Sequence, residues 1–303
     1  MKPTIELLLA SGWIDYELLD SGNGAKLERF GPYTFIRPEP QAFWKPRLSS
    51  SKWEAAHAVY QTKGEKSLGQ WIIHKPIEPT WEMRYKQLKF WGRLGNSRHL
   101  GVFPEQAPHW EWASQIVLAA QRPVHILNLF GYTGMATLAL SSVGAMVTHV
   151  DASKGVIEWA KRNQMLSGLE NRPIRWIVDD ALKFVRREVR RGVRYDGIFM
   201  DPPKFGRGPK GEVWESLEML HGLIEACRQL LKDDALFVIM TVYAIRASAI
   251  SIYYALEEGL HGLKGHSSCG ELAVKEKHGE RCLSTAIYAR WIGDQYWSPP
   301  RVD

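Results

Sequence analysis

From residue 124 onward, short apolar runs alternate with longer amphipathic stretches, and this alternation restricts the possible folds more than any other sequence feature. The runs predict strands over 124–130, 146–151, 174–178, 195–200 and 236–241. The stretches between them predict helices over 135–142, 154–166, 181–191 and 213–231. Such βαβ units form a parallel sheet with helices on both faces. We therefore predict an α/β fold with a doubly wound, mostly parallel sheet.

The C-terminal part departs from this alternation. Residues 271–274 and 285–291 have the pattern of two strands with no helix between them. The spacing predicts an antiparallel hairpin that closes the parallel sheet.

The region before residue 105 has a different sequence pattern, in which Gly and Pro interrupt short extended patches at 13–19, 33–36 and 70–74. This punctuation predicts a small β-rich unit over 1–104, with substrate recognition as a possible role, followed by a second domain over 105–303. Its tryptophans could stack on bases, although packing in a small core is favoured. These tryptophans are Trp44, Trp53, Trp71, Trp81 and Trp91.

Charge and cysteine content narrow the class of protein. The net charge of +6 favours polyanionic partners such as RNA or DNA. No apolar run approaches the roughly 20 residues that span a bilayer, so we expect no membrane association. The three cysteines form no CxxC pair and the histidines show no ligand spacing. We therefore expect no metal and a reducing, cytoplasmic location.

A glycine-containing turn follows the first predicted strand. It comprises Phe130, Gly131, Tyr132, Thr133 and Gly134. Glycines at a strand-to-helix turn let the backbone approach a ligand, and the next helix presents free N–H groups. The turn lacks the GxGxxG pattern of dinucleotide-binding proteins, and a tight βα turn without any ligand remains an alternative.

Acidic residues follow the next two predicted strands. Asp151, before Ala152, could accept hydrogen bonds from both hydroxyls of a ribose. Asp180, before Ala181, could accept from an adenine amino group. Either acid could instead be the N-cap of the following helix. Together with the glycine turn, however, they would lie at the edge where open α/β sheets bind ligands.

The fourth predicted strand ends in Asp201-Pro202-Pro203-Lys204-Phe205, the most specific motif in the chain. Two prolines hold the backbone extended, so the Asp201 carboxylate and the Pro202 carbonyl could orient a target amine. Phe205 could stack on an extruded base. Lys204 and Arg207 could bind substrate phosphate, although the basic loop over 206–211 could equally be a solvated surface.

These motifs, together with Pro104-Glu105-Gln106, occur in the order and spacing of the bacterial 23S rRNA methyltransferase family, and the cytosine-5 members look most similar. The resemblance covers about residues 100–292. It implies a Rossmann-like fold that binds S-adenosylmethionine, with the turn at 130–134 on the methionine end, Asp151 on the ribose and Asp180 on the adenine. Pro104 and Glu105 would cover the cofactor. The first ninety-odd residues do not resemble the RNA-binding module that begins the cytosine-5 enzymes.

One departure from that family concerns the target atom. Cytosine-5 methylation requires a thiolate that attacks the ring, and similar members carry a cysteine after the fifth strand. Here that stretch is Met240-Thr241-Val242-Tyr243-Ala244, without a cysteine. A nitrogen target needs only orientation, proximity and a proton acceptor. We therefore expect methylation of a nitrogen on an RNA base, in particular in rRNA.

Three alternatives remain open from sequence. The chain could methylate a protein or a small molecule, or it could be an inactive RNA-binding scaffold of the same fold. A nicotinamide-dependent oxidoreductase could also use a similar sheet, but the missing GxGxxG and the terminal hairpin count against it.

Overall fold

A computed structural model of the chain describes residues 2–62, 69–243 and 247–297. The strands are β1 (Ile5–Leu9), β2 (Tyr16–Gly22), β3 (Ala25–Phe30), β4 (Tyr33–Pro38), β5 (Ala58–Gln61), β6 (Gln70–Ile73), β7 (Trp81–Tyr85), β8 (Leu88–Gly92), β9 (His125–Leu129), β10 (Met146–Asp151), β11 (Ile174–Val178), β12 (Gly197–Met200), β13 (Phe205–Arg207), β14 (Val213–Glu215), β15 (Phe237–Val242), β16 (Gly265–Lys275) and β17 (Cys282–Gly293). The α-helices are α1 (Ser50–Glu54), α2 (Ala107–Ala120), α3 (Met135–Ser142), α4 (Lys154–Leu166), α5 (Ala181–Arg190), α6 (Ser216–Arg228) and α7 (Ala249–Gly259). Short 3-10 helices cover Pro104–Gln106 and Asp294–Tyr296.

The chain divides into two compact units. The larger unit comprises Met1–Leu8, His109–Glu271 and Ala286–Asp303. The smaller unit comprises Leu9–Pro108 and Leu272–Thr285. The sequence predicted one boundary at 104/105, whereas the folded chain passes between the units several times.

The main sheet of the larger unit has the order β1-β16-β17-β15-β12-β9-β10-β11. Strands β9, β10, β11, β12 and β15 run parallel. Strand β17 is antiparallel to β15. Strands β16 and β17 are neighbours joined by a short turn, in which Glu276 N donates to Arg281 O at 2.9 Å. The predicted α/β sheet with a closing hairpin is confirmed.

Helices cover both faces of this sheet, because adjacent residues on a buried strand point to opposite sides. Val238 packs in the core that α5, α6 and α7 share with one face. Its neighbour Phe237 points to the other face, where its ring lies 5.8 Å from Trp112 of α2. The doubly wound arrangement is therefore confirmed.

Several predictions about elements were wrong or incomplete. The helix expected over 213–231 begins only at Ser216, because Val213–Glu215 forms strand β14 against β13. The basic stretch at 206–211, expected as a loop, is largely the turn of this hairpin. The sequence analysis also missed α2 and α7, although Ser248 caps the N-terminus of α7.

The smaller unit is β-rich, as predicted. Strands β2-β3-β4-β5-β6 form one sheet and β7 and β8 form a hairpin. Its core is aromatic, and Phe35 and Trp81 stack with ring centroids 5.7 Å apart. The core also contains a buried ion pair between Glu28 and Arg37. Glu28 accepts hydrogen bonds from Arg37 at 2.7 Å and from Tyr16 at 2.9 Å.

Candidate active site

The carboxyl ends of the parallel strands meet at one edge of the main sheet. In their own chain order these five strands lie 3-2-1-4-5, so the order reverses between β9 and β12. Leu129 of β9 is in register with Val150 of β10 and with Met200 of β12. The residues that follow these positions therefore emerge side by side at the topological switch point, where open α/β sheets bind ligands.

The glycine turn after β9 has a strained backbone. Phe130 and Tyr132 adopt left-handed conformations, with φ of 56° and 49°, and Gly134 has φ of 89°. Non-glycine residues in this region store strain and cluster at ligand sites. Gly131 is required for space instead, because a Cβ there would lie 2.4 Å from the imidazole of His149. The turn is thus shaped by close packing as well as by glycine freedom.

A series of hydrogen bonds between buried polar side chains lies beneath the turn. Asn128 Nδ2 donates to Thr137 Oγ1 at 2.9 Å, and the Thr137 hydroxyl lies 2.8 Å from His149 Nδ1. Burial lowers the pKa of His149 to about 3, so the imidazole is neutral and its Nδ1 can accept the hydroxyl proton. From α4, Asn163 Nδ2 donates to Thr133 O at 2.9 Å. These bonds fix the turn from below and from the side.

Asp151 joins the glycine turn to β10. Its Oδ2 accepts from Tyr132 N at 3.0 Å and its Oδ1 accepts from Ser153 N at 2.9 Å. Burial raises the pKa of the Asp151 carboxyl, and the two backbone N–H groups oppose that shift. Each carboxylate oxygen can accept more than one hydrogen bond, so the side chain can still accept from a ligand. The structure thus brings Asp151 and the turn into direct contact.

The two aspartates that follow β11 make different contacts. Asp179 Oδ2 accepts from Arg187 at 2.5 Å, which ties this residue to α5. Asp180 is the N-cap of α5 and its Oδ1 accepts from Lys183 N at 2.9 Å. The capping interpretation is therefore correct for Asp180, and it leaves the other carboxylate oxygen for a ligand. Ala181 is buried as the first residue of α5.

The segment after β12 forms the start of a hairpin. Phe205 pairs with Glu215, Gly206 with Trp214 and Arg207 with Val213. Side chains alternate along a strand, so Phe205 and Arg207 share the outer face. Phe205 is 55% exposed. Lys204 is also exposed, whereas Pro202 is buried and Asp201 is half-buried.

Trp214, on the inner face of this hairpin, links it to the glycine turn. Its Nε1 donates to Pro203 O at 2.8 Å. Its ring is 2% exposed and lies 5.0 Å from the ring of Phe130, measured between centroids. Trp214 therefore contacts both the Asp201–Phe205 segment, at Pro203, and the glycine turn, at Phe130.

Two predicted cofactor residues lie in the other unit. Pro104 and Glu105 form a 3-10 helix of the smaller unit, where both are buried. Burial raises the pKa of the Glu105 carboxyl, while Lys26 and Arg37 oppose that shift. Their role toward a cofactor stays a prediction.

None of the three cysteines follows a strand at the carboxyl edge. Cys227 lies on the buried side of α6, and burial raises the pKa of its thiol. Cys269 is a buried residue of β16, and Cys282 begins β17. Thr241 and Tyr243 occupy the exit of β15, whereas Ala244 lies outside the described residues. The exit of β15 therefore carries no cysteine, as the sequence there indicated.

The edge matches the chemistry of an adenosyl ligand. Asp151 offers carboxylate oxygens for ribose hydroxyls, and Asp180 offers one for an amino group. The half-buried Ala152 lies beside Asp151. The glycine turn and the first turn of α3 offer backbone N–H groups, and a Cβ at Gly134 would come 3.1 Å from Ala160. These residues fit S-adenosylmethionine.

Sequence reasoning missed several supporting residues. They are His149, Asn163 and Trp214. A polar residue within a buried strand or on the apolar side of a helix is a usable signal, and His149 and Asn163 both show it. Trp214 had no such signal, because its helical context was wrongly predicted.

In the described parts of the chain, we find no helix long and apolar enough to cross a bilayer. The same residues contain no group of three or more histidine, cysteine or acidic side chains placed to hold a metal ion.

Comparison with known proteins shows which protein family this chain matches. The sequence profile of the S-adenosylmethionine-dependent methyltransferases matches residues 46–225, which is more than half of the chain. The crystal structure of the S-adenosylmethionine-dependent methyltransferase from Agrobacterium tumefaciens is 45% identical. It covers 96% of this chain and 97% of its own, with a TM-score of 0.90. SMU.776, solved in complex with SAH, shares the fold, with a TM-score of 0.71 at 16% identity over 93% of this chain and 76% of its own.

Curated relatives carry ribosomal RNA names. The large subunit methyltransferase K/L of Hahella chejuensis is 32% identical over 157 residues, 51% of this chain. The large subunit methyltransferase K of Neisseria meningitidis serogroup B is 30% identical over 150 residues, 49% of this chain. The matches span only 21% and 41% of the lengths of these two proteins.

Proposed function

This chain belongs to the S-adenosylmethionine-dependent methyltransferase family, and from that premise we propose that it methylates a nitrogen on a base of RNA, in particular ribosomal RNA. The observation that carries the proposal is the junction of the Asp201–Phe205 segment with the glycine turn at 130–134 through Trp214. A methyltransferase must align its acceptor with the sulfonium methyl, and the contacts of Trp214 with Pro203 and Phe130 support a role for the Asp201–Phe205 segment in binding the acceptor beside the turn. Membership of the family sets aside the nicotinamide oxidoreductase.

S-adenosylmethionine supplies an electrophilic methyl group. The turn at 130–134 would hold its methionine end, Asp151 its ribose and Asp180 its adenine. Asp201 and the Pro202 carbonyl would accept hydrogen bonds from the acceptor amine, which aims its lone pair at the methyl. A carboxylate can also receive the proton that the amine loses. Phe205, exposed on the outer face of its hairpin, would stack on the base, and Lys204 and Arg207 would bind phosphate.

The cysteines support nitrogen as the target. Carbon-5 of a pyrimidine becomes nucleophilic only after a thiolate adds to the ring. None of the three cysteines follows a parallel strand at the carboxyl edge, and two of them are buried. An exocyclic or ring nitrogen needs no such addition.

The ribosomal substrate is supported by the names of the relatives, whose full lengths this chain does not span. The net charge of +6 also suits a polyanion. An rRNA substrate would place the protein with the ribosomes, so we propose a cytoplasmic location.

The first test uses rRNA from cells that lack the gene. Purified protein should transfer labelled methyl from S-adenosylmethionine to this rRNA, and mass spectrometry of nucleosides should show an N-methylated base. Asp201→Asn should reduce transfer by roughly a hundredfold or more, with the affinity for S-adenosylhomocysteine retained. Asp233→Asn, at an exposed site outside the motif, is the matched control and should keep full activity.

Other results would overturn parts of the proposal. A 5-methylpyrimidine product would contradict the nitrogen target. Label in protein or metabolites but not in RNA would indicate a different substrate class. An unchanged nucleoside profile together with no transfer to any substrate would indicate an inactive scaffold.

A further inference from the structure

We propose that the smaller unit carries its own binding surface for single-stranded RNA, which we call the Phe43 patch. It is formed by residues 43–47 and by the turn at 275–281, and the inference rests on the proposed RNA substrate. The larger unit supplies chemistry at a single base, whereas an RNA substrate also needs contacts along the strand.

Phe43 is the most exposed large apolar side chain among the described residues, at 85%. Single exposed apolar residues are common on protein surfaces, so exposure alone decides nothing. The surroundings of Phe43 are informative. Its neighbour Ala42 is fully buried, and the ring of Trp44 lies 5.7 Å from the ring of Phe43.

The backbone around Phe43 is held firmly. Gly24 N donates to Ala42 O at 2.8 Å and Asn23 N donates to Trp44 O at 2.7 Å. The indole Nε1 of Trp44 also donates to Ser21 O at 3.0 Å. The Phe43 ring is therefore displayed from a fixed backbone, so little backbone freedom is lost when a base stacks on it.

A second set of hydrogen bonds, to the carboxylate of Asp20, fixes the next part of the segment. Arg47 N and Leu48 N donate to the carboxylate of Asp20, at 3.1 and 2.8 Å. The indole Nε1 of Trp53 donates to the same carboxylate at 2.9 Å. Asp20 is 1% exposed, so its carboxylate serves these internal hydrogen bonds and is not part of the surface.

The turn at 275–281 packs beside this segment. The guanidinium of Arg281 lies 5.3 Å from the centre of the Trp44 ring and donates to Lys45 O at 3.3 Å. Arg47 Nη1 donates to His278 O at 3.4 Å. Two chain segments that are more than two hundred residues apart thus form one continuous surface.

The net charge of this surface is positive, although Lys275 is paired with Glu280 and Lys277 with Glu17. Its two segments contain five cations, Lys45, Arg47, Lys275, Lys277 and Arg281, against the two carboxylates of Glu276 and Glu280. Glu276 is 3% exposed and is paired with Arg47 and Arg281. Lys45 and Arg47 are exposed next to Phe43.

An exposed aromatic ring among cations is the arrangement that binds single strands. A base stacks on the ring and the adjoining phosphates contact the cations. A protein partner would need a larger apolar area than one phenyl ring offers. The same geometry also explains how this chain could hold RNA without the RNA-binding module of the cytosine-5 enzymes.

The test measures binding of a fluorescein-labelled 12-nucleotide single-stranded RNA to the full chain by fluorescence anisotropy. Phe43→Ala should weaken binding roughly tenfold, because one stacked base is lost, and Phe43→Trp should restore it. Ile14→Ala, at a 60% exposed apolar site of the same unit, is the matched control and should bind as the wild type does.

A second variant tests the phosphate contact. Lys45→Gln should weaken binding and lower the slope of log Kd against log salt by about 0.7, the value for one phosphate on a single strand. Lys161→Gln, at an exposed lysine of α4, is the control. Both patch variants should keep the wild-type affinity for S-adenosylhomocysteine and the wild-type melting temperature, which excludes misfolding.

The outcomes separate this surface from the proposed reaction. Wild-type RNA affinity in both patch variants, with rRNA methylation intact, would overturn the patch alone. RNA binding that depends on Phe43, without methylation of any RNA, would support the patch and contradict the proposed function. Concentration-dependent dimers that Phe43→Ala abolishes, with RNA binding unchanged, would assign the surface to a second copy of the chain.

Discussion

At the scale of single residues, Asp151 shows how one carboxylate serves the backbone and leaves capacity for a ligand. Its two oxygens accept one backbone N–H each, from Tyr132 and Ser153. Burial nevertheless raises its pKa above the ordinary value for aspartate. The ionised form, which accepts hydrogen bonds most strongly, is therefore lost at a higher pH than for an exposed aspartate.

This gives a prediction for cofactor binding. The affinity for S-adenosylhomocysteine should fall as the pH decreases through the raised pKa of Asp151, because protonation weakens acceptance from the ribose. Asp151→Asn should lower the affinity at pH 7 by roughly tenfold to a hundredfold, the range for a hydrogen bond to a charged group.

Isothermal titration calorimetry from pH 7.5 downward measures both effects. In Asp151→Asn the part of the pH dependence that is due to this carboxyl should disappear. Glu158→Gln, at an exposed site on α4, controls for general charge effects. A wild-type affinity in Asp151→Asn would contradict the assignment of the ribose contact.

At the scale of elements, the hairpin of β13 and β14 changes the interpretation of the proline motif. The sequence suggested a motif followed by a solvated basic loop. In the structure, pairing with β14 turns Phe205 and Arg207 outward and Trp214 inward. The positions of all three side chains therefore depend on one short antiparallel register.

Trp214 is predicted to position the motif. Trp214→Phe keeps a ring against Phe130 but removes the N–H that donates to Pro203 O. Because small displacements of aligned groups are costly for catalysis, kcat should fall by about tenfold. KM for S-adenosylmethionine should change little, since the variant leaves Asp151 and Asp180 intact.

Steady-state methyl-transfer kinetics measure this separation of kcat from KM. Trp71→Phe is the matched control, because its indole Nε1 also donates to a backbone carbonyl, Ser97 O at 3.1 Å, in the smaller unit. Equal losses in the two variants, or a lowered melting temperature with unchanged kcat, would indicate a purely structural role for Trp214.

At the scale of the whole molecule, a buried carboxylate ties together three parts of the larger unit. Asp196 is fully buried and accepts from His125 N at 2.7 Å, from Arg122 at 2.5 Å and from Lys232 at 2.9 Å. Burial alone would raise the pKa of Asp196, but these donors outweigh it and lower the pKa. The carboxylate thus stabilises the larger unit in its ionised form.

The sign of the pH dependence follows. A lowered pKa in the folded state contributes stability that is present above the unfolded value of about 3.9 and is lost as the pH falls through the folded pKa. Asp196→Asn should reduce the free energy of unfolding at pH 7 by about 3 kcal/mol, the lower range for breaking a buried pair.

Urea denaturation of both proteins at pH 7 and below pH 4 tests this expectation, and the difference should shrink in acid. Asp234→Asn is the control, since Asp234 also pairs with Arg122 but is largely exposed, and should cost at most about 0.5 kcal/mol. An equal cost for the two variants would refute the role of burial.

Local sequence patterns were sufficient for the main elements of the larger unit. Strand 146–151 and helices 135–142 and 154–166 were predicted with their observed bounds. Helical and strand periodicity are properties of neighbouring residues, so they can be recognised without a structure. The parallel order then implies that Asp151, Asp180 and Asp201 follow strands at one edge. This much of the fold and the candidate site was determined by sequence alone.

Other features depended on contacts between distant residues. The ring of Trp214 meets Phe130, and His149 fills the space under Gly131. The turn at 275–281 joins residues 43–47 to form the Phe43 patch. Periodicity carries no information about which remote side chain fills a given space, because that choice depends on the packing of the whole fold. Only the tertiary structure decided these positions.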